Sequence, residues 1–153
     1  MRNNYLRTSI ITTILLSTYC FGVKEKPKEK ESIQQIQNRV CSMKIKKDQY
    51  RRARGGTSTI YEIHCAACSN PVMYYQKDGP GQLLRCYLNR IMYPKKLEDL
   101  HHDPRIKSKK DMPNLNCTTC AQLIGKPMVY KLDNRLAFRM IRGSFFYKKL
   151  KTD

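Results

Sequence analysis

Cys65-Ala66-Ala67-Cys68 and Cys117-Thr118-Thr119-Cys120 set four thiols in two identical frames. With two residues between them, the paired sulfurs of a tight turn face one point. Two such turns together supply the four thiolates of a tetrahedral site. Zinc is the expected ion, because it closes at four sulfur ligands and has no redox chemistry of its own. Binding free energies of roughly 10–16 kcal/mol in zinc-finger peptides make such a metal the main organiser of a small domain. The spacing does not suit a structural disulfide, since so short a loop removes little unfolded-state entropy. Neither pair sits at the strand-to-helix junction of a thioredoxin-like redox motif. Thiolate ligands survive under reducing conditions, so the expected location is the cytoplasm.

The other reactive side chains point away from catalysis. Cys86 adjoins Arg85, and a neighbouring cation favours a thiolate. It has no paired histidine or resolving cysteine in a motif, so a small core residue is expected there. His64 adjoins Cys65 and is expected to support that ligand or to replace it. His101-His102 is expected at a solvated helix end. The chain has no Gly-rich phosphate loop, nucleophile elbow or clustered carboxylate pair. Nothing in it specifies turnover, and a binding protein is expected.

Charge suggests what is bound. Thirty lysines and arginines against 12 acids give 153 residues a net charge of +18. From Met43 onward, 23 basic residues face 9 acids, a net charge of about +14 that owes nothing to the N-terminal tail. Such an excess favours polyanionic partners. Basic clusters at Lys44–Arg54, Arg105–Lys110 and Lys148–Lys151 accompany rings at Tyr74, Tyr75, Phe145, Phe146 and Tyr147. Single-stranded RNA binding uses both, with cations on phosphates and rings on bases at ~1–3 kcal/mol each. RNA is therefore the expected partner, with Arg51, Arg52, Arg54, Lys107, Lys109 and Lys110 on phosphates and Tyr75 stacked on a base.

The elements that must position these residues begin after a distinct N-terminal region. Arg2 and Arg7 precede an uncharged stretch, Thr8–Val23, that resembles a signal segment. Leu16-Ser17-Thr18-Tyr19-Cys20 is loosely lipobox-like, although Tyr19 is bulky where a small residue is expected. Lipidation at Cys20 would make the protein an exported, membrane-anchored lipoprotein. The alternative is that residues 1–42 extend upstream of a start at Met43. Residues 24–54 read as a basic polar linker, ending in Gly55-Gly56.

Residues 55–150 read as the domain, mainly β, in two halves built alike. Each half runs strand, knuckle, returning strand: Thr59–His64 to Val72–Gln76, and Asn114–Asn116 to Pro127–Lys131. Asp78-Gly79-Pro80-Gly81 is a strong turn between them. Gln82–Tyr93 fits a helical face or a strand, and the aromatic surroundings favour strand. Leu97–His102 fits one helical turn, Leu136–Ile141 a strand, and Phe145–Leu150 a last short strand.

On the two knuckles the chain resembles zinc ribbons, and Tyr74–Gly81 is also similar to small prokaryotic zinc-ribbon proteins of unassigned function. The 48 residues between the knuckles, and Cys117–Cys120 followed by Ile124-Gly125, also resemble the β-tent zinc fold of the yippee and cereblon type. That resemblance implies a structural zinc on Cys65, Cys68, Cys117 and Cys120. It does not extend to the cereblon ligand cage, whose tryptophans have no counterpart in a chain without Trp. β-Tent sulfoxide reductases keep a catalytic cysteine beyond the second knuckle, and no cysteine follows Cys120. Iron in a rubredoxin-type site uses the same four ligands, but Ser69 and Ala121 stand where rubredoxins carry glycine.

Overall fold

The computed structural model describes residues 31–150. The signal-like segment, Cys20, the start of the linker and Lys151 lie outside the described residues. Within them the chain is mainly β, as its composition of β-branched and aromatic runs predicts. The strands are β1 (Ser58–Cys65), β2 (Pro71–Asp78), β3 (Arg85–Tyr87), β4 (Ile91–Tyr93), β5 (Leu115–Asn116), β6 (Leu123–Tyr130), β7 (Arg135–Met140) and β8 (Phe145–Lys149). Three short helices accompany them: α1 (Ile33–Ser42), α2 (Gln49–Arg52) and α3 (Lys95–Glu98).

The strands form two antiparallel sheets, ordered β4-β2-β1-β8 and β3-β7-β6-β5. Each expected hairpin is present, β1 paired with β2 and β5 with β6, and each carries its knuckle at the turn. The main core gathers residues of both sheets, including Ile63, Met73, Tyr75, Leu88, Leu115, Ile124 and Phe138. Gln82–Tyr93 resolves into β3, a 3-10 turn at Leu88–Arg90, and β4. The two strands join different sheets, which is why neither a single helix nor a single strand fits the whole segment.

The first sheet is covered on both faces. β2 is buried continuously from Met73 to Lys77, where a half-solvated strand would alternate. A second cluster of Val40, Ile60, Tyr74 and Met92 accounts for this, with Ile36 packed against it from α1. Ile33, Ile36 and Val40 recur at helical spacing, and Ser32 and Gln35 form a reciprocal capping box at the start of α1. This corrects the expected linker over residues 24–54: from Glu31 on, that segment belongs to the compact unit.

The remainder of that segment is fixed by buried polar bonds. Gln76, 1% exposed, accepts from the Lys46 amide at 2.8 Å and donates to the Lys46 carbonyl at 3.0 Å. Asp48 caps α2 by accepting from the Arg51 amide. Arg90, 2% exposed, donates from Nη1 to Asp48 Oδ2 and from Nε to Asp78 Oδ2, each at 2.7 Å. One buried guanidinium thereby fastens α2 to the end of β2. Hydrogen bonding from Arg90 holds the Asp48 carboxyl down at about 2. Beside it Gly79, at φ 71°, turns against the Arg54 carbonyl so closely that a Cβ would collide.

Candidate metal centre and cationic sheet face

The knuckles are superimposable in their hydrogen bonding. In the first, the Cys65 amide donates to the Asn70 carbonyl at 2.9 Å, and the Ser69 amide returns to the Cys65 carbonyl at 2.9 Å. In the second, Cys117 and Gln122 repeat the first bond at 2.8 Å, and Ala121 and Cys117 repeat the second at 3.0 Å. Ser69 and Ala121 both close the turn in the left-handed region, at φ 59°. The chain thus makes the same strained turn twice, once at the central hairpin of the first sheet and once at the edge hairpin of the second.

Folding brings the two turns together. The four Sγ atoms of Cys65, Cys68, Cys117 and Cys120 lie within 4.8 Å of one another. Two cross-knuckle pairs, Cys65–Cys120 and Cys68–Cys117, stand at 3.6 Å. That separation is far beyond a disulfide bond, and close to the ~3.8 Å edge of a tetrahedron with metal–sulfur bonds of ~2.3 Å. The donor set therefore fits a metal ion closed at four thiolates, with all four positions filled by protein. Cys65 and Cys117 are buried, whereas Cys68 is half-buried and Cys120 exposed, so one side of the site faces water.

Local donors prepare the site for thiolates. The Asn70 backbone and its side chain, whose Nδ2 lies 3.4 Å from Cys68 Sγ, lower that thiol to about 6. At Cys120 the Gln122 backbone also favours the thiolate, but the sulfurs of Cys68, Cys65 and Cys117 outweigh it and push the thiol up to about 12. Four sulfurs so close cannot all ionise unaided, and a divalent cation at their centre removes that conflict.

His64 proves to be a support and not a ligand. Its Nδ1–H donates to the Ser69 carbonyl at 3.0 Å, and its ring stacks on Phe146 with centroids 5.0 Å apart. Nε2 lies 3.3 Å from Glu62 Oε2 without a well-aligned hydrogen bond, and Glu62 accepts from Tyr74 Oη at 2.8 Å. The crossover from β7 to β8 ties the sheets beside the knuckle, since the Ser144 carbonyl accepts from the Ala66 amide at 3.0 Å. Cys86 is fully buried in the main core opposite Phe138, and desolvation raises its thiol well above the ordinary value. His101 and His102 are exposed after α3, their rings meeting edge to face with centroids 4.9 Å apart.

The nucleic-acid candidates divide. Arg52, Arg54, Lys107, Lys109 and Lys110 are exposed, and Arg51 is half-buried with Nε on Ser58 Oγ at 3.1 Å. Tyr75 overturns its expected role. It is 3% exposed, and its hydroxyl accepts from the Tyr87 amide at 3.1 Å. A ring fixed inside the core cannot stack on a base. The sequence misleads here because Val72–Gln76 lies in a strand covered on both faces, where tyrosines are core residues.

The residues that sequence reasoning missed lie on the second sheet. Arg139 stands opposite Arg85 on one side and Lys126 on the other, so three cations form one row across β3, β7 and β6. Two rows further along, Arg135 stands opposite Tyr130. The Arg85 guanidinium lies 4.2 Å from the Tyr130 ring centroid, and that of Arg135 lies between Tyr50 at 3.7 Å and Tyr87 at 3.8 Å. These are strand positions spread over 55 residues of sequence, and only the register makes them a face.

No protein-family model matches this chain, and no curated protein or solved structure matches it. Site geometry alone carries the functional argument.

Acids offset this face at Arg135, through Asp133, and leave the row Arg85–Arg139–Lys126 without an ion pair among the described residues. Each described carboxylate from Met43 onward is engaged within the protein. Asp48 and Asp78 bind Arg90, Glu98 and Asp99 bind Lys95, Asp103 binds Arg105, and Asp133 binds Arg135. Glu62 is held by Tyr74, and Asp111 accepts from the Lys107 and Ser108 amides. The field that reaches solvent is positive.

Proposed function

We propose that this protein is a zinc-stabilised, non-catalytic domain that binds single-stranded RNA on the outer face of its second sheet. The row Arg85–Arg139–Lys126 carries the reading. Like charges directly opposite across strands destabilise a sheet, so three in a row oppose folding unless a polyanion neutralises them. The arginine–tyrosine stacks beside the row hold guanidinium forks in fixed orientations, which suits phosphate oxygens. Zinc is favoured over iron because Ser69 and Ala121 stand where rubredoxins carry glycine. The same reduced thiolates favour the cytoplasm.

In this arrangement the metal supplies rigidity and takes no part in ligand chemistry. Bound at the four sulfurs, it crosslinks the hairpin of one sheet to the hairpin of the other. The β7–β8 crossover, fixed to the first knuckle by Ser144, then holds β7 in register. β7 bears Arg135 and Arg139. Zinc site and cationic face are thus connected through one strand.

The test is RNA binding by the zinc-loaded full-length chain across a salt series. Counterion release gives a log–log slope of about −0.7 per neutralised phosphate on single strands. Charge reversal at Arg139 and Lys126 weakens binding and flattens the slope while zinc content stays constant. Affinity no greater than that of an unstructured lysine-rich peptide of equal charge overturns the reading.

A further inference from the structure

A cleft of about 250 Å³ opens beside the cationic face, where the end of β2, the residues after α2, and strands β3 and β7 converge. Arg54, Lys77, Arg85 and Arg135 all line it. Its one acid, Asp78, is already committed to Arg90 and to the side chains of Ser58 and Gln76. Arg54, Lys77 and Arg85 have no carboxylate within salt-bridge distance among the described residues.

Lys77 is the residue that needs an explanation. It is only 8% exposed, and its ammonium donates to one acceptor, the Gly79 carbonyl. An ammonium has three donors, and a buried cation without a counter-ion is costly. Burial lowers its pKa and Arg54 lowers it further, while the Asp78 carboxylate, bonded to Arg90, acts in the other direction. At the wall of the same cleft, Tyr87 Oη is buried without a hydrogen-bond partner. Two underused donors, and two arginines without a carboxylate partner, Arg54 and Arg85, around one small space describe an anion site. Arginine forks match phosphate oxygens two at a time, and a phosphomonoester carries about −1.5 to −2 at neutral pH. A monoester therefore suits this charge better than the single charge of a carboxylate or a phosphodiester.

We propose that this cleft receives a phosphomonoester, the 5′-terminal phosphate of the bound RNA strand. The assignment to a strand end rests on the RNA-binding reading above. Arg85 belongs to both the cleft and the cationic row, so a strand whose end is seated in the cleft runs out along β3, β7 and β6.

The experiment compares two oligoribonucleotides of one sequence, one with a 5′-phosphate and one with a 5′-hydroxyl, on the full-length zinc-loaded chain. Uridine 5′-monophosphate and inorganic phosphate are titrated separately. The phosphorylated strand binds about tenfold more tightly, the effect of one or two charge-assisted hydrogen bonds. Lys77→Met and Arg54→Gln each erase most of that difference, because they weaken the phosphorylated strand more than the hydroxyl strand. Lys126→Gln weakens both strands alike. Arg54 is exposed, so its variant decides the matter if Lys77→Met fails to fold. Equal binding of the two strands, with no saturable binding of uridine 5′-monophosphate, overturns the cleft assignment and leaves RNA binding standing. Binding of the mononucleotide that depends on Lys77 and Arg54, without binding of either strand, supports the cleft as a phosphomonoester site and overturns the RNA reading.

Discussion

Ser69 and Ala121 share one backbone conformation, φ 59°, at the residue after the second cysteine of each knuckle. Left-handed backbone costs an L-residue about 1–2 kcal/mol, and glycine avoids most of it. Glycine also gives back about 0.4–1 kcal/mol through a more flexible unfolded chain. Ala121→Gly is therefore expected to stabilise the domain by up to ~1 kcal/mol, a rise of a few degrees in Tm. Thermal unfolding of the zinc-bound variant checks this, and a lowered Tm contradicts the assigned turn.

The N-terminal helix is expected to be part of the stable unit. A chain beginning at Met43 lacks Ile36 and Val40 and uncovers Ile60, Tyr74 and Met92. Burial of a valine side chain alone is worth about 1.5–3 kcal/mol. A chain beginning at Glu31 should therefore outlast one beginning at Met43 by about 2 kcal/mol or more in urea. Equal midpoints would show that α1 does not pack on the first sheet.

Much of the fold was legible in the sequence, and the exceptions have physical causes. The hairpins flanking Cys65–Cys68 and Cys117–Cys120 are local, so turn chemistry and β-branched runs reveal them. α1 is not read from the sequence, although Ser32 and Gln35 write a capping box and Ile33, Ile36 and Val40 mark one face. Its polar, lysine-flanked context concealed it. The buried state of Tyr75 was not legible, because a strand covered on both faces loses the alternation that separates inside from outside. The row Arg85–Arg139–Lys126 depends on register between strands distant in sequence, and nothing local records it.

Arg90 and Asp78 form a pair whose side chains are 1% and 9% exposed. Breaking a buried pair leaves an uncompensated charge, at a cost of about 3–5 kcal/mol. Asp78→Asn should lie near the lower end, since Asp48 remains on Arg90. Asp48, by contrast, is partly solvated, and its variant should cost less. Because its folded pKa of about 2 lies below the unfolded value near 4, its contribution is complete above pH 4 and disappears as pH falls toward 2. The stability gap between wild type and Asp48→Asn should thus stay constant from roughly pH 8 to pH 5. A gap that changes across that range contradicts the pairing.

Arg139 links stability to binding. Opposite Arg85 and Lys126 it repels both, so Arg139→Gln should raise stability by a few tenths to about 1 kcal/mol. The same change should weaken RNA binding. A variant that loses both stability and affinity would mark Arg139 as an ordinary structural residue.

The central claim is that one metal ion on four cysteines holds the two sheets together. Metal analysis of the purified full-length chain, paired with thermal unfolding before and after chelation, tests it most directly. The predicted result is one zinc per chain and a cooperative melt that chelation abolishes. Cys117→Ser should reproduce the loss, while Cys86→Ala should keep the metal. A metal-free protein with an unchanged cooperative melt would contradict the account.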